Sequence, residues 1–146
     1  MANQISTYDP KKVIVTYGGV QITGFADGSM IDAEPNADLF SEKIGADGEV
    51  ARARSADHTY KVTLSLQQVS PSNDYLSGVM LLDAAANLGV LPLIVSDLNG
   101  TTLLVFPAAY IKSKPKVADG KEINDRQWVL HTGQIMAENI GGNFGS

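Results

Sequence analysis

Within the predicted strand 60–68, apolar and polar positions alternate from Tyr60 to Gln67. Tyr60, Val62, Leu64 and Leu66 fall on one face, and Lys61, Thr63, Ser65 and Gln67 on the other. A period of two with one apolar and one polar face predicts a strand of an antiparallel sheet, buried on one side. Further strands are predicted at 13–16, 20–25, 49–54, 91–96, 101–114 and 126–138. Tyr17-Gly18-Gly19 turns the first of these into the second as a hairpin. Pro107 lies inside the 101–114 strand and lacks a ladder donor, so that strand needs an edge or a bulge there.

One helix interrupts the strands. Ser70 is its predicted N-cap and Pro71 its first helical residue, a position where the missing N–H costs nothing. Tyr75, Val79, Leu82 and Ala86 then recur at helical spacing, with Leu76 and Met80 widening the stripe. Asn87-Leu88-Gly89 supplies the stop, with Gly89 expected just beyond the last turn. Ala-Asp-Gly occurs at 26–28, 46–48 and 118–120, and Asn99-Gly100 is a fourth site of similar chemistry. These pairs accept positive φ at low cost and predict hairpin turns. Many strands and one helix make a mainly β fold. Residues 1–10 read as an arm ahead of it.

Composition sharpens this picture. The 146 residues fit one domain, 1–146, and suffice to bury a core without a staple. No cysteine is present, so neither disulfide nor thiolate chemistry is available. Eleven basic against sixteen acidic residues leave −5, which argues against a general nucleic-acid binder. Charged residues make up 18%, below the usual quarter, as expected where surface is buried in an assembly. No apolar run approaches the ~20 residues of a membrane span, and the first residues lack the apolar core of a secretory signal. The expectation is a soluble protein made in a cytoplasm, with no membrane partner.

Candidate chemistry is sparse. The two histidines, His58 and His131, stand before and within predicted strands, with no nucleophile elbow or metal-ligand spacing. Each Ala-Asp-Gly turn offers one carboxylate, too few for calcium. Gly141-Gly142-Asn143-Phe144-Gly145 leads into no helix, so it is not a phosphate cradle. No catalytic, cofactor or metal site is expected. Charge is patterned, however. Asp27, Asp32, Glu34, Asp38, Glu42, Asp47 and Glu49 face a single base, Lys43, within 27–49. Lys112, Lys114 and Lys116 alternate, which in an extended chain puts them on one face. Such runs serve as solvated faces or lysine-protected edges, or as complementary surfaces that meet between copies.

The ordered set of these features resembles the tail tube proteins of contractile-tailed bacteriophages. It comprises Gly24-Phe25-Ala26-Asp27-Gly28, an acidic strand, and the Gly45-Ala46-Asp47-Gly48 turn leading to Arg52 and Arg54. Leu64-Ser65-Leu66-Gln67-Gln68 then runs into Ser70-Pro71-Ser72-Asn73, and Trp128 lies near the end of the later strands. The resemblance spans most of the chain. It implies two packed antiparallel sheets, as a β-sandwich or barrel, flanked by one α-helix.

It also implies a structural role in the virion rather than an enzymatic one. Six subunits close a ring, rings stack into a hollow tube, and the tube conducts viral DNA into the host without specific binding. Partners are further copies of the chain, with tail sheath, tape measure, baseplate and tail terminator proteins. Residues 28–48 occupy the place of the family's extended segment that reaches a neighbouring subunit. Asp32, Glu34, Asp38, Glu42, Asp47, Glu49, Lys112, Lys114 and Lys116 are therefore candidates for assembly or lumen surfaces. The tube of a phage-derived contractile injection device or bacteriocin is one alternative. A monomeric β-sandwich binding module is another, disfavoured because aromatics are only 7% and dispersed.

Overall fold

The computed structural model describes residues 13–26, 31–97, 100–117 and 125–141. The 1–10 arm, Asp27, the Asp-Gly pairs of 27–28 and 119–120, Asn99 and the glycines after Gly141 lie outside them. The described elements are β1 (Val13–Tyr17), β2 (Val20–Ile22), β3 (Ile31–Pro35), β4 (Phe40–Ile44), β5 (Val50–Arg54) and β6 (Tyr60–Gln67). After β6 come α1 (Ser72–Ala86), β7 (Leu91–Asp97), β8 (Leu103–Ser113), β9 (Asp125–Thr132) and β10 (Ala137–Asn139). The fold is mainly β, with two antiparallel sheets and one helix. The sheets are unequal: one of eight strands, in the order β2-β1-β7-β8-β9-β6-β3 with β10 also on β8, and one of two, β4-β5.

The large sheet closes on itself. β2 pairs with β1, and the same chain segment then crosses to β6. There Phe25 bridges Leu66, Ala26 N–H donates to Ser65 at 2.9 Å, and Gln67 N–H donates to Gly24 at 2.8 Å. Pairings β6–β9, β9–β8, β8–β7 and β7–β1 complete the circuit. The crossing covers the end of β6 that β3 leaves unpaired, while β3 itself pairs only with β6 among the described residues.

The inward residues form the core. Val15, Tyr17, Val62, Leu64, Leu66, Leu93, Phe106 and Leu130 are fully buried. The apolar face of β6 is thus buried, with Tyr60, Val62, Leu64 and Leu66 inside; on the other face Lys61 is exposed, but Ser65 is buried and Thr63 and Gln67 are half-buried. The Tyr60 and Phe106 rings meet edge to face at 5.3 Å. Gly18 and Gly19 turn β1 into β2 at φ +62° and +82°, conformations that suit glycine. Gly18 also sits where a Cβ would fall 2.7 Å from the Tyr75 hydroxyl. The Pro107 expectation holds as a bulge: Leu93 opposes Phe106, but Leu91 opposes Ala109. The predicted 126–138 strand is two pieces, β9 and β10, both along β8 and separated by a four-residue break.

The helix departs from expectation at both ends. It starts at Ser72 with Pro71 in the cap position, and Ser70 acts one residue earlier. The Ser70 hydroxyl accepts the Ser72 N–H at 3.2 Å and donates to the Thr23 carbonyl at 2.6 Å. Ser70 is therefore spent on tying the helix entry to the barrel-closing segment. At the other end Asn87, not Gly89, takes the left-handed position at φ 56°. Asn tolerates αL well enough to stop the helix two residues sooner. The buried stripe also ends early. Leu76 and Val79 are buried, while Leu82 and Ala86 are exposed because the last turns run clear of the core.

Candidate assembly surfaces

The β4–β5 hairpin shares no strand pairing with the large sheet. Its sequence explains its form. Gly45 N–H donates to the Glu49 carbonyl at 2.8 Å, Asp47 accepts the Glu49 N–H at 3.2 Å, and Gly48 sits at φ +83°. This is the Asp-Gly turn chemistry expected at 46–48. Phe40, Glu42 and Ile44 stand opposite Arg54, Arg52 and Val50. The Arg52 guanidinium lies 4.3 Å from the Phe40 ring centre and that of Arg54 5.5 Å, so both cations stack on one aromatic.

What the hairpin lacks is a hydrophobic floor. Every residue of β5 is exposed, as is every residue of β4 except the half-buried Phe40. Ile44 is 69% exposed and Val50 59%, directly opposite one another beside the turn. A two-stranded ribbon is marginal on its own in water. Apolar residues at its tip, with no core of their own to enter, mark a surface that is completed by a partner. Sequence reasoning read 28–48 as an extended polar segment and missed β4 and this apolar pair. The available signal was Ile44 and Val50 flanking the Gly45–Gly48 turn.

The acids do not form one surface. Asp32 and Glu34 point outward from β3, where Glu34 stands opposite Lys61 of β6. Asp38 is exposed between β3 and β4, Glu42 faces Arg52 across the hairpin, and Asp47 and Glu49 shape its turn.

Nor do the three lysines share a face. The β8–β9 register shifts between Ile111 and Ser113, and β8 ends at Ser113. The bulge and the strand end break the alternation that would have aligned them. Lys112 Nζ approaches His131 Nε2 at 3.4 Å. Lys114 instead lines a cleft against α1, and Lys116 is exposed beyond it.

The histidines show no catalytic arrangement. His131 carries Tyr110 beside its ring at 6.1 Å. Partial burial first, then the positive charges of Lys112 and Lys61, hold its pKa below the usual imidazole value. His58 precedes β6 and donates its backbone N–H to Gln134 at 2.7 Å. Among the described residues, no cluster of three or more acidic or imidazole side chains is placed to hold a metal ion. No helix among them is long and apolar enough to cross a membrane.

Comparison with known proteins places the fold in a family. The model of the bacteriophage PhiTE tail tube protein family matches residues 8–141. The chain belongs to that phage tail tube family. A curated relative, structural protein ORF10 of Pseudomonas phage KPP10, is 32% identical over 138 residues, covering 89% of this chain and 80% of the relative.

Solved structures share this fold at lower identity. The cap that terminates the anti-feeding prophage tube superposes with a TM-score of 0.59 at 18% identity, over 92% of this chain and 95% of that one. A chain of the extended sheath–tube complex of the extracellular contractile injection system PVC gives 0.54 at 14%, covering 89% and 90%. A chain of the native gene transfer agent virion gives 0.63 at 9%, covering 90% and 100%. A tail tube protein is a structural component and not an enzyme, which accords with the absence of a catalytic constellation in the sequence.

Proposed function

We propose that this tail tube protein closes into six-membered rings that stack into a hollow tube, and that the tube conducts viral DNA from capsid to host. The observation that carries the reading is the β4–β5 hairpin, whose apolar tip has no intrachain floor, in a chain of the tail tube family. A hairpin that docks on a different surface of the next copy makes a heterologous contact, and such contacts build rings or filaments rather than closed dimers.

The charge balance suits passage of DNA. At −5 per chain, six copies carry a formal charge of −30. A duplex presents one negative charge per ~1.7 Å, and lysine or arginine contacts to it would hold it in place. An acidic or neutral lumen gives no such grip, and screening over ~8–10 Å keeps repulsion short-ranged. Asp32 and Glu34, exposed on the outer face of β3, are our candidates for that lumen wall. In this reading the protein is made in the host cytoplasm and ends in the virion tail. It meets the sheath around the tube, the tape measure protein within it during assembly, and baseplate and terminator proteins at its ends.

A relative from a phage with 32% identity favours a phage tail over an injection device, since the injection-system neighbours share the fold at only 14–18%. Negative-stain electron microscopy of the purified protein at high concentration tests the proposal. Hollow filaments with six-fold rings in end view are expected. Lone monomers, even with a tail initiator complex or sheath added, would overturn it.

A further inference from the structure

A cleft of about 230 Å³ opens between α1 and the chain that follows β8. Met80, Pro115, Val117 and Trp128 give it apolar walls, and Lys114 and Arg126 add positive charge. It is smaller than the ~300–1,000 Å³ usual for small-molecule sites, and so suits a few side chains of a protein partner. At its outer wall Arg126 Nη1 donates to the Lys116 carbonyl at 3.0 Å. At that wall Val117 is 74% exposed.

The hairpin tip is the complement of this cleft in both respects. Ile44 and Val50 are apolar and exposed, and Asp47 and Glu49 lie in the turn between them. We infer that the cleft receives the β4–β5 hairpin tip of a second copy of this chain. Ile44 and Val50 meet Met80, Pro115 and Val117, while Asp47 and Glu49 face Lys114. Charge of opposite sign fixes which way the tip enters, and burial of the aliphatic pair supplies the attraction. Tip and cleft are different surfaces, so each copy offers one of each and the contact propagates. The inference rests on the tube reading and names the surfaces that such a tube would join.

The natural chain has no cysteine, so introduced thiols report this contact without background. I44C and V117C are made as single variants, mixed under mild oxidation and examined on non-reducing gels. V20C serves as the control, being exposed but outside both surfaces. All three sites are exposed, and circular dichroism checks each variant for folding. A disulfide between I44C and V117C at least tenfold above that between I44C and V20C is expected. K114E is expected to lower the yield at least threefold at low salt, with D47K on the partner restoring it. Tubes in the microscope without the I44C–V117C excess overturn the docking and leave the tube reading standing. Neither tubes nor cross-link overturns both. V117C that pairs preferentially with itself or with V20C gives the cleft another occupant and also overturns the docking.

Discussion

The indole N–H of Trp128 on β9 donates to the side-chain oxygen of Asn73 at 3.0 Å, in the first turn of α1. The amide nitrogen of the same Asn73 donates to the carbonyls of Gln67 at 2.9 Å and Ser70 at 3.1 Å. One side chain thus satisfies a buried indole and fixes the exit from β6 into the helix. Trp128 is the only tryptophan, so its fluorescence reads this junction alone. N73A leaves the buried indole donor unpaired, while the two carbonyls keep the backbone N–H groups of Ser70 and Asn73, and a loss of about 1–3 kcal/mol is expected. N73D keeps the acceptor and forfeits the donors, so it falls between parent and N73A. Denaturant unfolding followed by tryptophan fluorescence measures both, and an N73A protein as stable as the parent removes the junction from the list of stabilising features.

Barrel closure depends on Gly24. Its φ is +74°, and a Cβ there would fall 2.6 Å from the Ser70 Cβ. G24A therefore meets two penalties, left-handed strain of roughly 1–2 kcal/mol and displacement of Ser70 from its bond to Thr23. Loss of more than about 2 kcal/mol is expected, with early hydrogen exchange at the Ala26 and Gln67 amides that bridge to β6. Unchanged protection at those two amides would show that closure does not pass through this segment.

Stability at high pH is set in part by Tyr60. Its phenol is buried and donates to Glu138 Oε2 at 2.6 Å. Burial first, then the bond to Glu138 and that carboxylate's negative charge, push its pKa up to about 12. The ordinary tyrosine value is 10.0, so the unfolded chain gives up this proton first as pH rises. The contribution of Tyr60 is complete below pH 10 and drains away between pH 10 and about 12. Tyr17, raised further by burial, works in the same direction. Denaturation midpoints across this range should fall for the parent and fall less steeply for Y60F. Parallel slopes would assign the alkaline loss to other groups.

The sequence was legible where one face of an element is buried. β6 could be read from its alternation, and the β1–β2 turn from Gly18 and Gly19. Pro107 announced its bulge because proline cannot donate to a ladder. The elements that escaped are those whose side chains face water. β4 reads Phe-Ser-Glu-Lys-Ile and has no buried face to impose a period. Leu82 and Ala86 kept helical spacing although both are exposed. The lysines at 112, 114 and 116 looked like one face until the bulge at 111–113 separated them. Barrel closure by Phe25 and Leu66 runs through backbone groups, which side-chain patterns do not report. The order of turns, strand and helix start across the chain carried the family, although no single motif in it does so.

The hairpin separates folding from assembly. Ile44 and Val50 touch no core, so V50D should change the stability of the monomer by no more than about 0.5 kcal/mol. The same carboxylate buried against an apolar partner surface would be left without a counter-charge, at a cost of several kcal/mol per contact. Repeated at every subunit, that cost should abolish rings and filaments while leaving the circular dichroism spectrum and melting temperature intact. F40A acts differently. It removes the ring on which Arg52 and Arg54 stack, worth about 0.5–1 kcal/mol at an exposed site, and so loosens the hairpin without placing charge at its tip. It should weaken assembly partially and recover at higher protein concentration. Sedimentation velocity with electron microscopy of parent, V50D and F40A distinguishes the cases. Filaments of V50D equal to the parent's would place the hairpin outside the subunit contacts, and a V50D monomer that melts early would show that the hairpin belongs to the folding unit after all.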